Sequence, residues 1–179
     1  VASRSYIHSL YLYLENENGL FLSDAVGAAH LDTYFDTAWF ETYRQHQNDK
    51  YNIYSELRSF RQYAFEKKDT WVITLYRPLF LRNGVVVLNL YKDYFDQQLA
   101  EQSVSTSQVL LVCNADGEVL MQSKENFNLD DETLDDICTC DATKLTDCSA
   151  NGVRYHIVRA EAEKTSWIYL SITLFQDLY

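Results

Sequence analysis

The sequence has no apolar run long enough to cross a bilayer and no recognisable secretory leader. It opens at VASRSYIHSL, without Met and almost directly in a strand, so it reads as a piece of a longer protein, and the missing membrane segment says little about that parent. Basic residues are scarce. Fifteen Lys and Arg face 26 Asp and Glu, and the net charge of −11 leaves no basic face for a nucleic-acid backbone. There is no G-x-S-x-G, H-E-x-x-H, G-x-G-x-x-G or phosphate-loop pattern, and the four histidines, His8, His30, His46 and His156, are scattered over different segments. With no nucleophile–base pair on display, neither catalysis nor a cofactor is expected. The acidic run Asp130, Asp131, Glu132, Asp135 and Asp136 lacks the spacing of a calcium loop and reads as a solvated helix with acids at its favoured N-terminus.

What the sequence does hold is aromatic: 14 Tyr, 9 Phe and 3 Trp against one Met and one Pro. Tyr and Trp combine an apolar body with a polar tip, which suits either a half-wet cavity or the surface of a β-rich protein. Apolar residues make up 47% of the chain, enough for a packed core. Charge is uneven. Residues 1–100 carry 12 acids and 10 bases, whereas 101–179 carry 14 acids and 5 bases, which predicts two units meeting near residue 100.

Five glycines punctuate the elements. Gly19, in Asn16-Glu17-Asn18-Gly19, turns a hairpin between SYIHSLYLYL and LFLS, and Gly27 lies in a polar turn before the first helix. Two helices are predicted over 31–67, the first presenting Phe35, Ala38, Trp39 and Tyr43 on one face, the second Ile53, Leu57, Phe60 and Ala64. Strands at 71–80 and 85–92 flank Gly84, and Asp93 caps a helix to about 103 with Phe95 and Leu99 inward. The second half repeats the plan: a hairpin at 108–122 around Gly117, the acidic helix LDDETLDDI, a polar cysteine loop, and two closing strands near 153–160 and 166–175. The predicted class is α+β, with two PAS-like units that each cover an antiparallel sheet with helices on one face.

Four cysteines are present, Cys113, Cys138, Cys140 and Cys148. Cys138 and Cys140 are too close to bridge each other, which leaves Cys113–Cys138 with Cys140–Cys148, or Cys113–Cys140 with Cys138–Cys148. A disulfide is expected over free thiols, and over a zinc site that adds His156, because paired C-x-x-C spacing is missing.

The segment GVVVLNLYKDYF and the element order resemble the double Cache family of extracytoplasmic sensor domains, as does SWIYLSITLFQDLY, which looks like their closing strand. The aromatic opening with DTAWFETY is similar to versions on membrane-bound AraC-type regulators and histidine kinases of Gram-positive bacteria. The resemblance covers the chain apart from the long N-terminal helix that starts such folds. It implies a membrane-distal unit, 1–100, that binds a small molecule between sheet and helices, and a smaller membrane-proximal unit, 101–179, that relays the change. It also implies flanking transmembrane helices, a cytoplasmic output domain and a homodimer in the full-length protein. The alternative is an interaction module that reads a protein or cell-wall component through aromatic surface.

By that resemblance the site lies among Trp39, Phe40 and Tyr43 on the first helix, Tyr76 on one strand, and Asn89 and Tyr91 on the next. The residues agree in part: Val85, Val87, Asn89 and Tyr91 alternate onto one strand face, and a buried Asn89 amide needs partners, whether ligand, backbone or water. Amino-acid-binding members carry an Arg two residues before the helix Trp and an Asp on the later strand; those positions here are Thr37 and Asn89. Arg58, Arg61 or Arg77 would have to substitute, though each reads first as a solvated surface charge. The expected ligand is therefore neutral or polyhydroxyl and not a simple amino acid.

Overall fold

The structure, a computed structural model, describes residues 6–49, 51–61, 68–125, 127, 129–139, 146–150 and 153–175. They form two compact units, residues 1–92 and 93–179. Both are α+β with an antiparallel sheet, the PAS-like plan expected.

In the first unit the strands are β1 (Ile7–Leu14), β2 (Leu20–Ser23), β3 (Gly27–His30), β4 (Tyr54–Phe60), β5 (Thr70–Pro78) and β6 (Gly84–Tyr91), with α1 (Trp39–His46) inserted between β3 and β4. Their order in the sheet is β3-β2-β1-β6-β5-β4. Strict alternation along IHSLYLYL buries Ser9, Tyr11 and Tyr13 on one face. The β1–β2 turn is held by Asn16, whose Oδ1 accepts from the backbone of Asn18 and Leu20, while Gly19 takes a φ of 63°. The core beneath α1 is built of rings: Tyr11, Tyr13, Phe21, Trp39, Tyr43 and Tyr76.

In the second unit α2 (Lys92–Gln102) leads into β7 (Gln108–Cys113), β8 (Val119–Gln122), α3 (Asp131–Thr139), β9 (Thr146–Ala150), β10 (Val153–Ala162) and β11 (Trp167–Leu174). The sheet order is β8-β7-β11-β10-β9. Asn114 closes the β7–β8 turn by accepting from the backbone of Asp116 and Glu118, with Gly117 at φ 83°. Branched aliphatics fill the core, among them Val109, Leu111, Ile157, Leu170 and Ile172.

Several expectations are corrected. The helix predicted around Ile53, Leu57 and Phe60 is strand β4, paired residue by residue with β5; Ala64 lies outside the described residues. The i, i+4 apolar spacing there is coincidental: β4 sets Glu56 and Arg58 beside Tyr54 on one face and Ser55 and Ser59 beside Leu57 on the other, so no apolar period of two marks the strand. The first helix begins only at Trp39, since residues 31–38 turn to bring Asp36 inward, and Gly27 opens a strand. The cysteine loop contains β9, which pairs with β10 and makes the closing pair of strands a trio. Phe95 and Leu99 on α2 are only half-buried.

Candidate functional site

The register of the first sheet sets a polar row across four strands. Glu56 pairs with Thr74, Thr74 with Asn89, and Asn89 with Ser9. The neighbouring row is Tyr54, Tyr76, Val87, Tyr11 and Ser23. Cross-strand partners on one face lie side by side, so the register alone assembles a polar patch inside an aromatic surround. α1 closes over it, burying Trp39 and Tyr43 four residues apart, one turn of helix. Trp39 also donates from Nε1 to the carbonyl of Asp36 at 3.1 Å, which fixes the turn that delivers the Asp36 carboxylate.

Arg58 occupies the centre. It is 8% exposed, and its Nη1 and Nη2 donate to the two oxygens of Asp36 at 2.7 and 3.2 Å. Its Nε donates to Thr74 at 2.9 Å, and Nη2 donates to Asn89 Oδ1 at 3.0 Å. Asn89 Oδ1 also accepts from Thr74 at 2.8 Å, and its Nδ2 donates to Ser9 at 2.9 Å. The Tyr11 hydroxyl donates to Asp36 and accepts from Ser9. Burial opposes the charge on Arg58, but the Asp36 carboxylate outweighs it and raises the guanidinium pKa. Burial, aided by the Asp36 charge, pushes the Tyr11 hydroxyl far up, so it stays a neutral donor.

At the rim, Glu56 accepts from the hydroxyls of Thr42, at 3.1 Å, and Tyr76, and sits 3.4 Å from Arg58 Nε. Tyr54 stacks on Tyr76 at 4.7 Å and on His46 at 4.4 Å, and its buried hydroxyl has no hydrogen-bond partner among the described residues. Two carboxylates and one guanidinium leave this cluster with one net negative charge. Ser9 Oγ lies 2.9 Å from His8 Nδ1, yet it also meets Tyr11 and Asn89 and is buried, so it is a saturated structural hydroxyl and not a free nucleophile.

Of the residues expected to form the site, Trp39, Tyr43, Tyr76 and Asn89 are brought together. Phe40 is half-buried, its ring 5.2 Å from that of Tyr13. Tyr91 is not brought in; it is 38% exposed and lies edge-on to His8. Arg61 pairs with Asp69 on the surface, and the exposed Arg77 donates to the carbonyl of Tyr51. Arg58, read as a surface charge, is the buried one, because its position on β4 falls on the core side of the sheet. Sequence reasoning missed Ser9, Asp36, Glu56 and Thr74. The legible signal was polar residues at alternate positions of SYIHSLYLYL and TWVITLY, on the same parity as buried rings.

The site is packed: Tyr11, Trp39, Thr74, Tyr76 and Asn89 are all 0% exposed. A groove of about 280 Å³ in this unit is lined instead by Leu12, Leu14, Leu20, Leu22 and Ala28 at the β1–β2 hairpin. In the second unit a cavity of about 590 Å³ is lined by Val109, Lys124, Phe127, Tyr155, Ile172 and Leu174 among others. The expected disulfide is not formed among the described residues: Cys113 and Cys138 are free thiols, both buried, while Cys140 and the Cys148 side chain lie outside the described residues. His156, expected as a zinc candidate, faces Asp147 at 3.1 Å, and no group of three or more metal-ligating side chains occurs among the described residues.

No protein-family model and no curated protein sequence matches this chain. Solved structures do. The periplasmic sensory domain of the Campylobacter jejuni chemoreceptor Tlp1 is 15% identical, with a TM-score of 0.56 over 97% of this chain and 74% of that one. The ligand-binding domain of the Pseudomonas fluorescens chemoreceptor CtaA, in complex with L-isoleucine, is 11% identical, with a TM-score of 0.61 over 95% of this chain and 70% of that one. The extracellular domain of the histidine kinase candidate rpHK1S-Z16 is 12% identical, with a TM-score of 0.62 over 97% and 73%. At such identities the likeness establishes the fold: this chain has the architecture of Cache-type sensory domains.

Proposed function

We propose that this chain is the extracytoplasmic ligand-sensing domain of a membrane-bound signal-transduction or transcription regulator, and that its first unit holds a small molecule between the six-stranded sheet and α1. The observation that carries this reading is the polar row Glu56–Thr74–Asn89–Ser9, crossed by Arg58 and Asp36, on a sheet face otherwise made of rings and valines. Packing alone does not require such a row, since apolar side chains of similar size would fill the face as stably. A ligand entering there exchanges internal hydrogen bonds of Thr74 and Asn89 for its own and leaves the Arg58–Asp36 pair in place. It thereby favours a different contact of α1 with the sheet, and its unequal affinity for the two arrangements is the signal. The first unit is then membrane-distal and the second membrane-proximal, with transmembrane helices, an output domain of the AraC or histidine-kinase kind and a homodimer in the full-length protein.

In this reading the ligand is not a simple amino acid. Arg58 directs both Nη atoms at Asp36 and has no bidentate face left for a carboxylate, and Asn89 offers no charge to an ammonium group. A neutral or polyhydroxyl molecule, bonded by Asn89 and Thr74 and stacked on Trp39 or Tyr43, fits better. Thermal-shift titration with amino acids, sugars and polyols tests this. Stabilisation by a polyol, lost in Trp39→Ala, is the expected result, and micromolar binding of a common amino acid overturns the ligand class. The packed core and the exposed Leu10, Leu14, Leu20, Leu22 and Trp71 on the opposite sheet face favour a second reading, a macromolecular interaction module. That reading gains if no small molecule of any class shifts the melting temperature.

A further inference from the structure

The second unit joins two thiols that lie 25 positions apart in sequence. Cys113 is the last residue of β7, where the pairing with β8 slips between Val112 and Cys113. Cys138 stands in the last turn of α3, one position after Ile137 on the stripe Leu134, Ile137 and Cys138 that packs on the sheet. Both belong to one core cluster, at 0% and 6% exposure, and the Cys113 thiol donates its hydrogen bond to the Cys138 sulfur. Beside them lies the guanidinium of Arg159, which donates from Nη2 to the Cys138 carbonyl at 2.9 Å, while its buried Nε has no partner.

Two neighbouring thiols could be passive core residues, since free Cys packs as a small hydrophobe. The asymmetry here goes further. The hydrogen bond from Cys113 and the nearby charge of Arg159 lower the Cys138 pKa, against its burial, while the same hydrogen bond, followed by burial, raises that of Cys113. The two thiols meet where α3 packs on β7, beside a cation that steadies a thiolate.

We propose that Cys113 and Cys138 are a reversible dithiol–disulfide site that covalently ties α3 to β7, oxidised by a low-molecular-weight disulfide. The Cys138 thiolate attacks one sulfur of that disulfide, forming a mixed disulfide and expelling a thiolate that takes up the proton Cys138 has lost. Cys113 then gives up its proton to the second leaving thiolate as its sulfur attacks Cys138 Sγ. Two protein thiols are oxidised and one external disulfide is reduced to two thiols. Of the two pairings the spacing of the cysteines allows, the structure assigns the one containing Cys113–Cys138. This site is independent of the ligand reading of the first unit.

The test is to incubate the 179-residue chain with oxidised glutathione, unfold it, alkylate with N-ethylmaleimide and map the peptides. The expected result is a linked peptide pair containing Cys113 and Cys138, which dithiothreitol converts into two alkylated cysteines. A Cys113–Cys140 link, a glutathione adduct that persists on Cys138, or complete alkylation of both residues after oxidation overturns the proposal. In the double variant Cys140→Ser/Cys148→Ser the same link should form and raise the melting temperature by roughly 5–10 °C. A further Cys113→Ser change should abolish that rise; a rise that survives it also overturns the proposal.

Discussion

The two units put different chemistry on the core side of their sheets. In the first, six polar side chains are buried there among the described residues, Ser9, Ser23, Asp36, Arg58, Thr74 and Asn89, under a roof of aromatic rings; in the second only Asn114 is buried among the described residues, and it closes a turn. The difference teaches what each core is for. Burying an ion pair costs desolvation that its mutual attraction rarely exceeds, so the Arg58–Asp36 pair is weak evidence for stability in the first core. In the first unit every prong of Arg58 that faces inward has an acceptor, which makes the cluster tolerable. The second core is aliphatic, close to self-sufficient, and its one reactive feature is a thiol pair.

The sharpest way to break the comparison is Arg58→Met. Asp36 is then buried without a counter-charge, and urea denaturation should show a loss of about 3–5 kcal/mol. Adding Asp36→Leu should recover most of that loss, since the two sites share one interaction; a double variant no better than the single would mean that the ion pair itself stabilises the fold. In the second unit Ile172→Ala removes 1%-exposed aliphatic volume and should cost about 2–5 kcal/mol. Hydrogen exchange should place that loss in β7, β10 and β11 and leave the first sheet protected. Asn89→Leu strands Ser9, Thr74 and one Arg58 nitrogen without their partner and should cost about 1–3 kcal/mol by chemical denaturation. In Gly84→Ala the new Cβ would run into the Tyr13 carbonyl across the β1–β6 pairing, and a loss of about 1–3 kcal/mol is expected in the same measurement. Smallest is Leu22→Lys on the exposed face of the first sheet, which should change stability by no more than about 0.5 kcal/mol.

Much of the fold was legible because its signals were local. Asn16 to Gly19 announced the first hairpin, Asn114 to Gly117 the second, and VVVLNLY and WIYLSITL could scarcely be anything but strands. Asn89 was legible as a polar residue on a buried strand face, and Trp39 and Tyr43 as one face of a helix. Glu56 and Arg58 were not. In YSELRSF the two parities, Tyr54, Glu56, Arg58, Phe60 and Ser55, Leu57, Ser59, each mix apolar and polar residues, so no hydrophobic alternation marks the strand. Asp36 was hidden for a related reason: it belongs to no element, and only the Trp39 indole bond to its carbonyl shows why the turn carries it inward.

By itself the sequence determined the class, the two halves and their unequal charge, because turn chemistry, alternation and composition act over a few residues at a time. Tertiary structure alone decided where the charges went. Arg58 meets Asp36 across 22 positions and Asn89 across 31, and Asn89 meets Ser9 across 80. Those encounters depend on strand order and register, which are settled by how a whole sheet packs. The same holds for the thiols: spacing left two pairings open, and the packing of α3 on β7 brought Cys138 to Cys113.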